Sequence, residues 1–434
     1  MKRLRWFPSV SCYALGCYAI GCYATLAGSG RLWAQPQTEQ IPQLIELARQ
    51  GPDAPGLADA IRKTLSPKGG QTVWGQDYLF VTQSSDPASV AIDLGTPHAM
   101  QRIAGSDFWM LLTIMRVGVT HAFQYSANGK PLGNRSDLAG FNPDSYPKPG
   151  VPQGKASDKH TITSKIYEGM KADFWIYASP GVDPNVPAPL MVWQDGQGLV
   201  NDRGIRLMTV TENLVAQKRI PPMVHVLIAP GFSSDGKAMR SIEYDTVSDR
   251  YDRFLMEEVL PEVEKEYKLR QDGYSRAIAG ESSGGICSLN AAWFMPEKFS
   301  RVHSAIGSFT SIQWHPEQKL DGGNLYPFMI RKMPKRNIRM WMSDGMDDLE
   351  NSHGSWPLQN IELANSLKMM GYDYHFRFGL ATHDGAQVGI DLPESLTWLW
   401  RGYDPAKTSE EFTMDPAEKD KPYYRVTITN RDSW

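Results

Sequence analysis

The sequence predicts an α/β protein: a mainly parallel β-sheet covered by helices on both faces, preceded by a small β-sandwich. Two patterns and one pentapeptide carry that reading. In the second half, continuous apolar runs alternate with helical stretches, as in a doubly covered parallel sheet. Between about residues 71 and 143 the runs are short, β-rich and separated by turn residues, as in a sandwich. Gly280-Glu281-Ser282-Ser283-Gly284 then stands between the strand-like Arg276-Ala277-Ile278-Ala279 and a helix-like stretch from Gly285 to Phe294, closed by Pro296. A G-x-S-x-G in that setting is a strained strand-to-helix turn that holds a serine hydroxyl clear of the backbone.

The elements follow in chain order. Lys2, Arg3 and Arg5 precede an apolar stretch from Trp6 to about Ala27, with a cleavage site after Ala34, so residues 1–34 read as a secretory signal. A five-residue repeat carries Cys12, Cys17 and Cys22 within it. Cleavage is expected rather than lipid anchoring at Cys17 or Cys22, because Ala, not Leu, stands three residues before each. The mature chain then keeps Cys287 alone, and no internal disulfide is possible. A secreted or periplasmic location follows, with no later stretch apolar enough to span a bilayer.

Residues 35–70 form a helical leader in which Ile41 to Leu65 spell two short helices broken at Gly51-Pro52. Residues 71–150 hold the sandwich, with strands at 78–81, 89–94, 108–114 and 121–125 and a two-residue turn at Asn128-Gly129. Pro143 to Gly154 is a Pro/Gly-rich linker. Residues 151–404 form the large domain. Leu190–Trp193 and Val224–Ala229 read as strands buried on both faces. Thr246–Tyr267 reads as an amphipathic crossover helix bent at Pro261. Further strands are expected at 302–306, 338–342 and 374–378, with a helix over 361–370. Residues 405–434 are a tail in which 423–429 could add one edge strand.

Composition narrows the partners. A net charge of -3 over 434 residues, with mixed signs, gives no basic stripe for nucleic acid, so a small or uncharged partner is expected. Thirteen Trp and eighteen Tyr include rings of the kind that line sugar or aromatic-ester sites, although core packing accounts for most such residues. His353 and His375 are isolated, and no metal or organic cofactor is expected.

A nucleophilic serine needs a base, an acid to orient the base, and N–H donors for the oxyanion. His383 follows the last expected strand, and the acidic run Asp344-Gly345-Met346-Asp347-Asp348 follows the one before it. Serine, acid and histidine thus occur in the order used by α/β-hydrolases. Spacing alone does not choose among Asp344, Asp347 and Asp348, of which Asp348 ranks first. The expected oxyanion donors are the N–H of Ser283, at a helix N-terminus, and that of Gln197 in the loop after Leu190–Trp193. Asp195, ahead of the serine, is expected to hold that loop.

Asp195-Gly196, Arg240-Ser241-Ile242-Glu243-Tyr244, Phe254-Leu255 through Leu260-Pro261, and Ala279-Gly280-Glu281-Ser282-Ser283-Gly284-Gly285 together resemble the esterase family related to enterochelin esterase. Feruloyl and acetyl-xylan esterases and mycolyltransferases are similar. The resemblance covers about Lys159 to Arg401 and implies an α/β-hydrolase fold. It also implies a serine esterase that hydrolyses a siderophore, feruloyl or acyl-sugar ester through Ser282, His383 and Asp348. The family's Gly-x-x-Asp pattern falls on Gly345-Met346-Asp347-Asp348. Residues 71–143 are similar, more weakly, to the immunoglobulin-like domain that precedes such catalytic domains. The chain departs from the pattern at Ala381-Thr382, where close relatives carry Gly-Gly before the histidine. Arg240, Trp314 and Tyr326 are the candidate substrate-binding residues, with packing or an ion pair of Arg240 as the competing reading. A non-catalytic carbohydrate- or siderophore-binding protein on the same scaffold, and an acyltransferase, are the alternative functions.

Overall fold

The computed structural model describes residues 36–425 apart from 94 and 203, so the expected signal and residues 426–429 of the expected tail strand lie outside the described residues. Helices α1 (Pro36–Arg49) and α2 (Leu57–Thr64) flank the expected break at Gly51-Pro52. The strands that follow are β1 (Gly69–Trp74), β2 (Asp77–Gln83), β3 (Ala88–Ile92), β4 (His98–Ala99), β5 (Gln101–Arg102), β6 (Phe108–Ile114), β7 (Val119–Ala127) and β8 (Lys130–Gly140). They form two antiparallel sheets, ordered β1-β2-β6-β5 and β4-β3-β7-β8. Tyr78 and Phe80 share a core with Val90, Ile92 and Phe123 of the other sheet. Leu79 and Val81, on the opposite face of β2, pack under Leu44, Ile45, Leu57 and Ile61 of the two helices. That period-two division explains why Tyr78 to Val81 is apolar throughout: both faces of the strand are covered.

Strand β8 is absent from the expectations, since Lys130–Gly140 contains Pro131, Gly133 and mostly polar residues. Asn128 and Gly129 both take positive φ, 48° and 72°, and turn the chain back so that β8 pairs along β7.

The large sheet comprises β9 (Lys155–Ala156), β10 (His160–Thr163), β11 (Lys171–Ala178), β12 (Leu190–Trp193), β13 (Val224–Ile228), β14 (Arg276–Glu281), β15 (Arg301–Ala305) and β16 (Arg339–Asp347). Beyond a small hairpin of β17 (Glu350–Asn351) and β18 (Gly354–Ser355), β19 (Asp373–Thr382) completes it. The order is β10-β11-β13-β12-β14-β15-β16-β19, with β9 beside β11. Pairs from β13 to β19 are parallel and those of β9, β10 and β11 antiparallel, so the sheet is mixed around a parallel centre. The chain runs outward from β12 to β13 and returns to place β14 on the other side of β12. This reversal opens a crevice at the carboxyl ends of β12 and β14, the usual position for a site in such a sheet.

Alternate residues of β12 enter different cores. Leu190 and Val192 join the cluster that includes Ile286 and Leu289, whereas Met191 and Trp193 join Leu207, Val210, Leu392 and Leu396. Helix α3 (Leu207–Ala216) therefore shares one face with the last long helix. The other face carries α4 (Arg240–Tyr244), α5 (Arg250–Phe254), α6 (Leu260–Val263), α7 (Ser283–Phe294), α8 (Tyr326–Lys332) and α9 (Trp356–Met369), and α10 (Ala386–Leu399) closes the first. The expected helix 246–267 is shorter and irregular: α5 and α6 flank a π-helical turn at Leu255–Val259. Pro261 has no N–H and its ring opposes the carbonyl four residues back, so the ladder widens ahead of it.

Candidate active site

The Ser282 elbow forms because β14 ends at Glu281 and α7 begins at Ser283, leaving one residue for the reversal. Ser282 takes φ 56° and ψ -121°, a conformation that an L-residue holds only when its surroundings impose it. Its N–H donates to Ala305 O at 3.0 Å, and its carbonyl accepts from the N–H groups of Gly285 and Ser308. A Cβ at Gly280 would lie 2.5 Å from the Gly284 carbonyl carbon, and one at Gly284 would lie 2.9 Å from Gln194 Cβ. Both glycines are thus required by close approach.

His383 Nε2 lies 2.9 Å from Ser282 Oγ, and His383 Nδ1 lies 2.5 Å from Asp348 Oδ1. The strands extend further than the sequence suggests, since β16 runs to Asp347 and β19 to Thr382, and these two residues are cross-strand partners. Asp348 and His383 are each the first residue beyond that paired end. Asp344 and Asp347, expected in a loop, belong to the strand. Asp347 is ion-paired to Arg135 at 2.8 Å, which leaves Asp348 as the carboxylate facing the imidazole.

Asp344 lies behind Asp348. Its Oδ1 accepts from Gly345 N–H at 2.7 Å, while Asp344 Oδ2 and Asp348 Oδ2 are both buried without another partner among the described residues. Burial first, then contact with the Asp348 carboxyl, raises Asp344 far above the carboxylate range. A neutral Asp344 can act as a hydrogen-bond donor toward the Asp348 carboxyl.

Ser308 and Trp356 were not foreseen. Ser308 Oγ lies 3.2 Å from Ser282 Oγ and accepts from Trp356 Nε1 at 3.1 Å, while the indole meets the His383 ring edge-on at 5.7 Å. Neither belongs to a local motif, and only the sheet order brings them to the elbow.

Ser283 is the first residue of α7, where a backbone N–H has no intrahelical acceptor. Asp245, which accepts from the Ser241 hydroxyl at 2.8 Å, is pushed up to about 6 by burial. Gln197 is exposed in a short 3₁₀ turn, Gly196–Gly198, directly after β12 and Asp195. Arg240 makes two 2.8 Å bonds to Asp195 rather than to Glu243, an ion pair with a nearby carboxylate on a side chain about a third exposed. Asp195 is held from a second side by Tyr244. The substrate-binding expectation for Tyr326 is corrected: the residue is fully buried, hydrogen-bonded to Asn290 and packed on Trp293 and Phe309 as part of the core. Trp314 is about half exposed, in a segment tied to α4 by the bond of Gln313 to Ser241. Burial, then Asp195 and Asp384, raises Glu281 beside the serine to about 7. Among the described residues no group of three or more His, Cys, Asp or Glu is placed to hold a metal ion, and no described helix is long and apolar enough to cross a membrane.

The sheet order and the placement of these residues define an α/β-hydrolase fold, and a solved relative has the same fold. The enterobactin esterase of Shigella flexneri superimposes with a TM-score of 0.55 at 18% identity, covering 76% of this chain and 96% of that one. The chain belongs to the family described as "Putative esterase", whose model matches residues 168–399. Curated relatives include the iron(III) enterobactin esterase of Dickeya dadantii, 22% identical over 244 residues, and that of Escherichia coli O6:H1, 24% identical over 280. Each match covers 55% of this chain, and the chain spans 53% and 65% of the length of those relatives.

Proposed function

We propose that the protein is a secreted or periplasmic serine esterase that cleaves a carboxylic ester through an acyl-enzyme. The observation that carries this reading is the Ser282–His383–Asp348 chain of contacts at 2.9 and 2.5 Å. Ser282 Oγ attacks the ester carbonyl carbon as its proton passes to His383 Nε2, and Asp348 accepts from Nδ1–H, fixing the tautomer. The oxyanion faces the N–H groups of Ser283 and Gln197. Collapse expels the alcohol, which takes the proton from His383. Water then attacks the acyl carbon by the reverse route and frees Ser282.

The curated relatives are named for iron(III) enterobactin, and a siderophore, feruloyl or acyl-sugar ester is the corresponding substrate range here. The charged groups acting on Glu281 are Asp195, Asp384 and Arg240, and Arg240 is already paired with Asp195. We assign residues 35–70 to a helical leader, 71–150 to an immunoglobulin-like sandwich, 151–404 to the catalytic domain and 405–434 to a tail. Hydrolysis of feruloyl, acetyl-sugar, catecholate and short acyl esters by the purified chain tests the reading. Ser282→Ala is expected to lower kcat by at least ~10³-fold, and an unchanged rate would sink the assignment.

A further inference from the structure

We propose that strand β8 of the amino-terminal sheets belongs to the catalytic scaffold, with Asp137 a positioning residue for His383 and Arg135 its counterpart for Asp348. This rests on the triad reading above and goes beyond it. Asp137 Oδ2 accepts from both the N–H and the hydroxyl of Thr382, each at 2.8 Å. Arg135 Nη2 lies 2.8 Å from Asp347 Oδ2. Arg135 and Asp137 are two residues apart on one strand, so they share a face. Their targets, Asp347 and Thr382, are cross-strand partners at the end of β16 and β19. One turn-free segment of β8 therefore grips both sides of the ladder at the last residues before Asp348 and His383.

The grip is local and well anchored. Asp137 is 7% exposed, and its contact is flanked by Thr120 Oγ1 donating to Gln387 Oε1 at 2.5 Å and Arg377 Nη2 donating to Gly118 O at 3.2 Å. Leu138, on the other face of β8, packs against the core shared by the two small sheets, which fixes the strand from behind. Thr382 is one of the two residues at which the chain departs from Gly-Gly. Glycine there would keep the N–H donor and lose the hydroxyl. The next peptide carries His383, whose imidazole must meet Ser282 and Asp348 together, and a displacement of ~1 Å costs on the order of 10²-fold in rate.

The test reads two quantities in the full chain: the rate of Ser282 phosphonylation by a fluorophosphonate, measured by intact mass, and kcat and KM for p-nitrophenyl butyrate. Asp137→Ala is expected to lower labelling and kcat by ~10- to 100-fold with KM within ~2-fold. Asp137→Asn, whose carbonyl oxygen still accepts both bonds, is expected within ~3-fold of wild type, a rescue that a general loss of packing would not give. Thr382→Ser should match wild type and Thr382→Val fall below it. Wild-type labelling of Asp137→Ala, with Ser282→Ala unlabelled, would overturn the proposal and leave the triad standing. Equal labelling of Ser282→Ala would overturn both. If Asp137→Ala does not fold, Thr382→Val decides, and a wild-type rate there overturns the proposal.

Discussion

At the scale of single residues, the site depends on a proton that sequence spacing does not reveal. Asp348 presents one oxygen to His383, while its other oxygen and Asp344 Oδ2 are both buried without a hydrogen-bond partner among the described residues, and the two carboxyls interact. Two ionised carboxyls cannot share such a place, so the more buried Asp344 keeps its proton and acts as a donor. Asp344→Asn replaces that O–H with an amide donor of the same shape and is expected to retain kcat within ~5-fold. Asp344→Ala leaves Asp348 without its rear partner, and kcat is expected to fall by ~10-fold or more, with ~1–3 kcal/mol of stability lost. Equal kinetics for the two variants would show that Asp344 does not act through Asp348. The same comparison separates positioning from packing, since only Ala removes the donor.

At the scale of elements, the elbow is a close-packed junction and the one most readily read from sequence. A Cβ at Gly280 meets Gly284 backbone at 2.5 Å, whereas one at Gly284 meets Gln194 Cβ at 2.9 Å, a smaller overlap. Gly280→Ala is therefore expected to destabilise by ~2–3 kcal/mol and Gly284→Ala by less, as read by chemical denaturation. The reverse ranking would mean that the elbow relaxes around residue 280. Strands such as Leu190–Trp193 were legible because burial on both faces leaves a continuous apolar run, and the crossover to α7 was legible because glycines must stand where backbones touch. β8 was not, although it holds Arg135 and Asp137. Its polar face meets the paired ends of β16 and β19, so no alternation of apolar residues marks it, and the Asn128-Gly129 turn was its one local signal. Ser308 and Trp356 were hidden for another reason: they reach Ser282 and His383 from separate elements, and spacing along the chain carries no information about that.

At the scale of the whole molecule, buried carboxyls set the pH dependence of stability. Burial pushes Glu243, Glu281 and Asp391 up to about 7 and Asp245 up to about 6. For an acid raised in the fold, the contribution is fully present below its unfolded value near 4 and is lost as pH rises through the folded value. His225 and His303 act in the opposite sense, since burial lowers them to about 3 and about 4, and their contribution is lost as pH falls below 6.5. Between pH 5 and 7 the carboxyls outnumber the imidazoles, so stability declines with rising pH across that window. The melting temperature is expected to be higher at pH 5.5 than at pH 8 by on the order of 5 °C, and a steady rise over that interval would contradict the balance. Glu281 is the informative member because it adjoins the nucleophile. Glu281→Gln is neutral at every pH, so its melting temperature should match wild type near pH 4, exceed it increasingly from there to about pH 7, and keep that excess at pH 8. If ester hydrolysis by that variant falls while its stability at pH 8 rises, the carboxyl is retained for the reaction at a cost to the fold.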